Sequence, residues 1–261
     1  MNDMERSDRD TAYAKYEKLL LERDALKKEA GSYLTAYLRE FGELIDKVFE
    51  EKVDCISKKK SIAFCQAAVN RGAMVRADEL RSYLAFTMAE YKKQLAEMAE
   101  DYKKAKLAKE SSEYACVRSK SLYRKIAKLI HPDINPSAWK YPEISDLWER
   151  TVLAYGMNNV EELEAAEVLV HKLLDDHGFK PDALKIDNLE ERIRQLEAEN
   201  LQIMSTDPYQ YKNLLEDAEA VFQKKKALEE EYESYVNYAE ELRGVLAQYV
   251  KKGLIVEWEE N

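Results

Sequence analysis

The tripeptide His131-Pro132-Asp133 is the part of this chain whose residue types are best suited to recognising another molecule. Proline fixes its own backbone and keeps the preceding residue out of helical geometry, so the tripeptide predicts a loop at the end of a helix. The carboxylate of Asp133 can accept a bidentate, charge-assisted contact from an arginine. The imidazole of His131 can donate or accept a hydrogen bond, depending on its tautomer. We expect both side chains to face outward from a loop that binds a protein.

The tripeptide closes a basic, helix-like run, YRKIAKLIHPD, that begins at Tyr123. Between Lys103 and Lys128 there are nine lysines or arginines and two glutamates, a local charge of +7 in a chain whose net charge is −10. Such a surface suits an acidic patch on a partner, because charge complementarity steers encounter and fixes register. A solvated helix face is the alternative. The cations expected to form the surface are Arg118, Arg124, Lys125 and Lys128, with Lys109 and Lys120 beside them.

The same run resembles the second helix and following loop of a J-domain, the chaperone-binding domain of the DnaJ family, which has the form Y-R-K-x-A-x-x-x-H-P-D. The matched positions are Tyr123, Arg124, Lys125, Ala127, His131, Pro132 and Asp133, and Asn135-Pro136 is similar to the residues that usually follow. The positions that resemble the facing side of an antiparallel third helix are Trp148, Thr151, Val152, Ala154 and Tyr155. The resemblance covers roughly residues 113–180.

This resemblance implies a J-domain co-chaperone. The basic helix and the loop would dock on an ATP-bound DnaK-type chaperone, of the seventy-kilodalton heat-shock class, and stimulate its ATPase, while long helical arms would select a client or partner. The ATPase chemistry would belong to the chaperone, so the chain itself is predicted not to be an enzyme. The chaperone-binding residues implied are His131, Pro132, Asp133, Tyr123, Arg124, Lys125, Lys128 and Arg118.

The chain departs from the J-domain pattern at two points. No upstream segment has the D-Y-Y-x-x-L-G start of the family's first helix, so that helix is missing or is replaced by the long charged helix before Ser119. Ile134 stands where the family usually has a basic residue. There is also no Gly/Phe-rich segment and no zinc-binding cysteine repeat, so the likeness is to a J-domain grafted onto helical arms.

Composition predicts an all-α protein. Seven glycines and five prolines in 261 residues leave few turns, and 35% of the residues are charged. Long segments rich in Ala, Leu, Glu and Lys favour helices because those side chains lose little rotamer freedom there. We expect an elongated molecule in three parts: a long helical hairpin at 1–112, the J-like segment at 113–180 and a coiled-coil hairpin at 181–261.

Heptad spacing defines the arms. A first helix from about Asp10 to Asn70, with Gly31 as the candidate point of interruption, ends where Gly72 can take the left-handed conformation. The returning arm has a seam at Leu84, Met88, Tyr91, Leu95, Met98 and Tyr102. The last helix has a seam at Leu214, Ala218, Val221, Lys225, Leu228, Tyr232, Tyr235, Ala239, Leu242, Leu246 and Tyr249. This helix is longer than the other arm of its hairpin. Its far half must therefore pack on the N-terminal hairpin or on a second copy, so a homodimer is a possible partner state.

Other functional classes have little support in the sequence. The acidic net charge argues against general affinity for nucleic acid or anionic membranes. No apolar stretch is long enough to cross a bilayer and the first residues are too polar for a signal peptide, so we expect a cytoplasmic protein. Three scattered cysteines and three histidines lack metal-ligand spacing, and there is no phosphate-binding or nucleophile motif. No cofactor or metal is predicted.

Two other functions fit the same features. The J-like hairpin could be inert and degenerate, inside a coiled-coil scaffold whose long arms alone act. Alternatively, the basic helix could contact nucleic acid, with Tyr114 and Tyr123 stacking on bases.

Overall fold

The computed structural model describes the backbone of residues 3–179 and 188–256 and the side chains of residues 11–179 and 188–255. The predicted all-α class is confirmed. The helices are α1 (Asp3–Asn70), α2 (Ala77–Thr87), α3 (Ala89–Leu107), α4 (Glu113–Ile130), α5 (Pro142–Gly156), α6 (Val160–Asp176), α7 (Leu189–Ser205), α8 (Tyr211–Glu216) and α9 (Ala218–Lys251), with a short 3₁₀ helix at Pro136–Lys140. Two short strands, β1 (Val75–Arg76) and β2 (Ile255–Val256), pair in parallel.

The helix α1 is continuous over 68 residues, about 100 Å at 1.5 Å per residue. Gly31 does not interrupt it. The helix ends where predicted, at Asn70, and Gly72 follows with a positive φ of 68°. Glycine has no Cβ, so it takes this left-handed conformation without a steric penalty.

The chain divides into two compact units, and α1 contributes to both. The first unit comprises Met1–Tyr33 and Lys109–Gln210, and the second comprises Leu34–Ala108 and Tyr211–Asn261. The consecutive boundaries expected from the sequence do not coincide with these units. Each unit joins two stretches that are distant in the sequence, because α7 and α9 both pack on α1.

A bundle of α4, α5 and α6 forms the main core of the first unit. The side chains of Leu122, Ile126, Ile130, Ile144 and Leu163 are completely buried there. Both caps in this region follow from the sequence: Ser112 Oγ accepts from the Ala115 amide at 3.2 Å, and Asn159 Oδ1 accepts from the Glu162 amide at 3.1 Å. A capping side chain satisfies an amide that has no partner inside the helix, so each helix begins at a defined residue.

Helix α7 lies along the first part of α1 and runs in the same direction. Lys15 is paired with Glu197 at 2.6 Å, and the rings of Tyr33 and Tyr209 meet edge to face with centroids 5.5 Å apart. Between these contacts, apolar side chains of the two helices form a small cluster, whose buried members are Tyr16, Leu20, Ile193 and Leu196.

In the second unit, the later part of α1 is flanked by two other elements. Helices α2 and α3 return antiparallel to it, so that Tyr102 lies against Gly42 and Arg39 Nε donates to the Ala105 carbonyl at 2.7 Å. Helix α9 runs parallel to α1 and packs Leu228 in a cluster with Phe41. The α9 seam predicted from the sequence is buried or half-buried from Val221 to Tyr249. It therefore packs on the N-terminal helix, within one chain.

Candidate functional site

The HPD loop, residues 131–135, is braced at the end of α4. The amides of Ile134 and Asn135 both donate to the His131 carbonyl, at 3.1 and 2.7 Å. Asn135 Nδ2 donates to the Leu129 carbonyl at 2.7 Å, and Trp139 Nε1 donates to the Ile130 carbonyl at 2.9 Å. The last carbonyls of a helix have no partner within it, so these side chains both cap α4 and fix the loop.

The expectation that His131 faces outward is wrong. Its side chain is only 3% exposed and meets the indole of Trp148 edge to face, with ring centroids 4.9 Å apart. Nδ1 accepts a hydrogen bond from the Asp133 amide at 3.0 Å, so the proton of a neutral imidazole resides on Nε2. Nε2 in turn lies 3.5 Å from Asp24 Oδ2. A carboxylate of α1 covers the histidine, which sequence reasoning could not anticipate.

Asp24 is the centre of a buried polar network. Its carboxylate accepts from the Tyr123 hydroxyl at 2.8 Å and lies 3.2 Å from Arg23 Nη2. Burial alone would raise the pKa of Asp24, but the hydrogen bonds from His131 and Tyr123 and the charge of Arg23 together lower it below its ordinary value. Asp24 therefore remains an anion where a partner's group could not reach it.

Tyr123 belongs to this network and not to the surface. Burial, with the nearby Asp24 carboxylate, raises the pKa of its hydroxyl far above the ordinary value. Its ring is 4% exposed and stacks on Tyr155 with centroids 4.1 Å apart. Direct contact with a chaperone, and stacking on a nucleic-acid base, both require an accessible ring, so neither fits this tyrosine.

Asp133 is the accessible member of the tripeptide. Its side chain is 44% exposed, and Arg23 Nη2 lies 3.9 Å from Oδ2. Pro132 beside it is half-buried. The loop thus has an inner residue, His131, that organises it and an outer carboxylate that faces solvent.

The cations of α4 lie between two rows of carboxylates. Arg118 and Lys125 pair with Glu164 and Glu167 of α6, at 2.6 and 3.2 Å. On the opposite side α1 supplies the carboxylates for Lys120 and Lys128, and the pairs are Lys120 with Glu29 at 3.6 Å and Lys128 with Glu17 at 2.8 Å. The positive charge predicted for this helix is therefore largely offset by neighbouring helices.

Arg124 differs from these four, since within the described part of the chain it has no ion pair. It lines a shallow groove of about 420 Å³ on the outer face of α4, whose other lining residues are Val117, Lys120, Ser121, Lys125 and Lys128. Exposed ion pairs contribute little free energy. The flanking pairs can therefore open for a partner that offers a denser acidic surface.

Lys28 of α1 is a further site residue that the sequence did not indicate. Its Nζ donates to Asn158 Oδ1 at 2.5 Å and to Ser119 Oγ at 3.2 Å, and lies 3.7 Å from the ring centroid of Tyr155. Burial lowers the pKa of Lys28 to about 8. Lys28 and Asp24 together fasten α1 to the bundle. In the sequence, a charged residue on a long helix is indistinguishable from one that only contacts solvent. Nothing in the sequence therefore identifies Lys28 or Asp24 as a site residue.

The described residues carry neither a metal-ligand cluster nor a membrane-spanning helix. No group of three or more His, Cys, Asp or Glu side chains there is placed to hold a metal ion. None of the described helices is both long and apolar enough to span a bilayer.

Comparison of the chain with protein-family models, with curated proteins and with solved structures returned no match. The resemblance to a J-domain therefore rests on the residues of α4, the HPD loop and α5.

Proposed function

We propose that this protein is a J-domain-type co-chaperone that binds a DnaK-type chaperone through α4 and the HPD loop and stimulates its ATPase. The observation that carries the proposal is the presentation of Asp133: an exposed carboxylate at the end of a basic helix, on a loop braced by hydrogen bonds from Asn135 and Trp139. Such bracing limits the entropy that the loop would lose on binding.

The electrostatics of α4 support a protein partner with an acidic surface. Arg124 has no ion pair with any described residue, and its neighbours Lys125 and Lys128 are more than half exposed, at 55% and 56%. The carboxylate of Asp133 would require a cation on the partner at the end of this row. A partner that recognises the site therefore needs an acidic strip followed by an arginine or lysine.

In this proposal the chain is not an enzyme. Its contribution is binding energy, which shifts the chaperone toward the conformation that hydrolyses ATP, while the chaperone supplies the chemistry. No cofactor is required for that role. The long helices of the second unit would contact the client or a targeting partner, and the site of action would be the cytoplasm.

The test is single-turnover ATP hydrolysis by a bacterial DnaK-type chaperone in the presence of the full chain. We expect stimulation by the parent, and a loss of at least about tenfold in Asp133→Asn, which removes one charge from a charge-assisted contact. Asp146→Asn is the matched control, because Asp146 is an exposed aspartate on α5. Parent, Asp133→Asn and Asp146→Asn behaving alike would contradict the proposal.

A second candidate is a helical scaffold in which the tripeptide has only a structural role. The observation that favours it is the burial of His131 against Asp24 and Trp148, since this histidine organises the loop whether or not a chaperone binds. Under this alternative, His131→Gln lowers the melting temperature while Asp133→Asn changes neither stability nor any binding activity. The ATPase assay on Asp133→Asn distinguishes the two functions.

A further inference from the structure

Ile134 joins the HPD loop to a second apolar cluster. Its side chain packs against the core of the α4–α6 bundle and also against the cluster formed by α1 and α7, in which Ile193 and Leu196 are buried. This is the position where the resembling family usually has a basic residue. An apolar side chain of the loop thus packs on a cluster to which both α1 and α7 contribute.

The ionic contacts around Asp133 also extend to α7. Arg23 has Nη2 at 3.9 Å from Asp133 Oδ2, and Nη1 at 3.9 Å from Glu199 Oε2 of α7. Glu199 is in turn paired with Lys27 at 2.7 Å. The guanidinium of Arg23 is only 18% exposed, so α1, the loop and α7 meet at one nearly buried cation.

The docking of α7 is held by few contacts and contains one unfavourable group. Within the described part of α7, the buried side chains are Ile193, Leu196 and Asn200. Asn200 Nδ2 donates to the Leu19 carbonyl at 3.2 Å, but Asn200 Oδ1 is buried and has no hydrogen-bond partner among the described residues. A buried acceptor that lacks a donor costs free energy, so this seam is weaker than an all-apolar one of the same size.

We propose that α7 is a strap that holds the HPD loop closed against α1 and whose release frees the loop. While α7 is docked, Ile134 packs against the apolar cluster that includes Ile193 and Leu196, and Arg23 lies between Glu199 and Asp133. When α7 lifts away, Ile134 loses the part of the apolar cluster that α7 contributes, so the loop that carries Asp133 can move toward a partner. The consequence for chaperone binding rests on the proposed function, whereas the closure itself does not.

Hydrogen exchange on the full chain tests the closure directly. The amides of Asp133, Ile134 and Asn135 are all hydrogen-bonded to His131, so their exchange rates report opening of the loop. Leu196→Ser removes a buried anchor of α7, and we expect it to raise exchange of these three amides by at least about tenfold. Leu201→Ser is the matched control on the same helix, because Leu201 is 64% exposed, and it should leave them unchanged.

A second variant is expected to strengthen the docking of α7, so it tests the closure without destabilising the protein. Asn200→Leu replaces the unsatisfied amide by an apolar side chain, and we expect slower exchange of both α7 and the loop amides. Fast exchange of α7 in Leu196→Ser with no change at the loop would overturn the closure. So would slower exchange of α7 in Asn200→Leu with no slowing at the loop.

The chaperone assay then tests the regulatory consequence. Leu196→Ser should stimulate ATP hydrolysis by a DnaK-type chaperone several-fold more than the parent, and Asn200→Leu should stimulate less. Equal stimulation by the parent and both variants, with loop exchange changed as expected, would overturn the regulatory role. If neither the parent nor any variant stimulates hydrolysis, the proposed function and this regulatory role both fail, while the exchange measurements still decide whether α7 closes the loop.

Discussion

The α4–α6 bundle and the long helices of the second unit bury their apolar side chains in different ways. In the bundle, one continuous core collects residues from three helices, and many of them have no exposed surface. In the second unit, buried residues form separate clusters at successive levels of α1, centred on Phe41, on Cys55 and on Cys65. Among the described residues only Tyr235 packs against two of these clusters, those of Phe41 and Cys55, so most substitutions there should act locally, whereas a substitution in the bundle should affect the whole of it.

The largest expected effect follows from removing a fully buried side chain from the bundle. Ile126→Ala should lower the free energy of unfolding by about 3 to 4 kcal/mol, since it loses transfer free energy and leaves a cavity. Urea unfolding followed by tryptophan fluorescence measures it, with Trp258→Phe as the background so that Trp139 and Trp148 of the bundle are the only indoles. Val168→Ala, at a position 68% exposed on α6, is the control and should change stability by less than about 0.5 kcal/mol.

The same substitution at two glycines of α1 should have opposite signs in the two units. A Cβ on Gly42 would lie 2.5 Å from Tyr102 Cδ2, whereas a Cβ on Gly31 would have no heavy atom within 4 Å. Gly42→Ala should destabilise by about 1 to 3 kcal/mol because α3 must shift away. Gly31→Ala should stabilise by about 0.5 to 1 kcal/mol because alanine has less backbone entropy to lose.

Thermal melts of the parent and the two glycine variants measure this difference. A loss of stability in both variants would show that Gly31 also lies at a close approach. A gain in both would show that α3 does not pack on Gly42.

A pH dependence of stability belongs to the first unit. The pKa of Lys28 is about 8 in the folded protein and 10.5 ordinarily, so between these values the unfolded chain binds more protons than the folded chain. Stability from this group therefore rises as pH increases from 8 to 10.5. In the second unit, burial raises the pKa of the Cys55 and Cys65 thiols, so stability from those groups falls as pH rises above 9.

Comparing the parent with Lys28→Met isolates the lysine, because the other titrating groups cancel. The unfolding free energy of the variant minus that of the parent should decrease steadily between pH 8 and 10.5 in urea titrations of the Trp258→Phe background. A difference that is constant across this range would contradict the assigned shift.

Local features of the sequence predicted much of this structure. The basic helix α4 and the loop that follows were identified because both signals are local. A run of helix-forming residues favours the helix, and Pro132 keeps the residue before it out of helical geometry. The heptad seam of α9 was identified for the same reason, since its spacing is visible within a few turns. The partner of the α9 seam could not be chosen from spacing alone, because an intrachain helix and a second copy offer the same apolar stripe.

The contacts that define the candidate site are long-range, and this is why the sequence did not reveal them. Asp24 and Tyr123 are separated by 99 positions, and nothing about an aspartate on a charged helix distinguishes a buried anion from a solvated one. The outward orientation expected for His131 failed for this reason. Ile134 was noticeable in the sequence because it departs from the J-domain pattern. Its packing on the apolar cluster of α1 and α7 is a physical reason for an apolar residue at this position.

The position of the strap in the chain has a consequence for synthesis. Helix α1, with Asp24 and Arg23, leaves the ribosome long before α4, so the inner side of the HPD loop can be covered as soon as the bundle folds. Helix α7 emerges only after the bundle is complete, since chains are made from the N-terminus. Under the proposed closure, a nascent chain therefore passes through a stage in which the bundle can form before α7 straps Asp133 and Ile134, and at that stage the loop would be more open to a partner than in the finished protein.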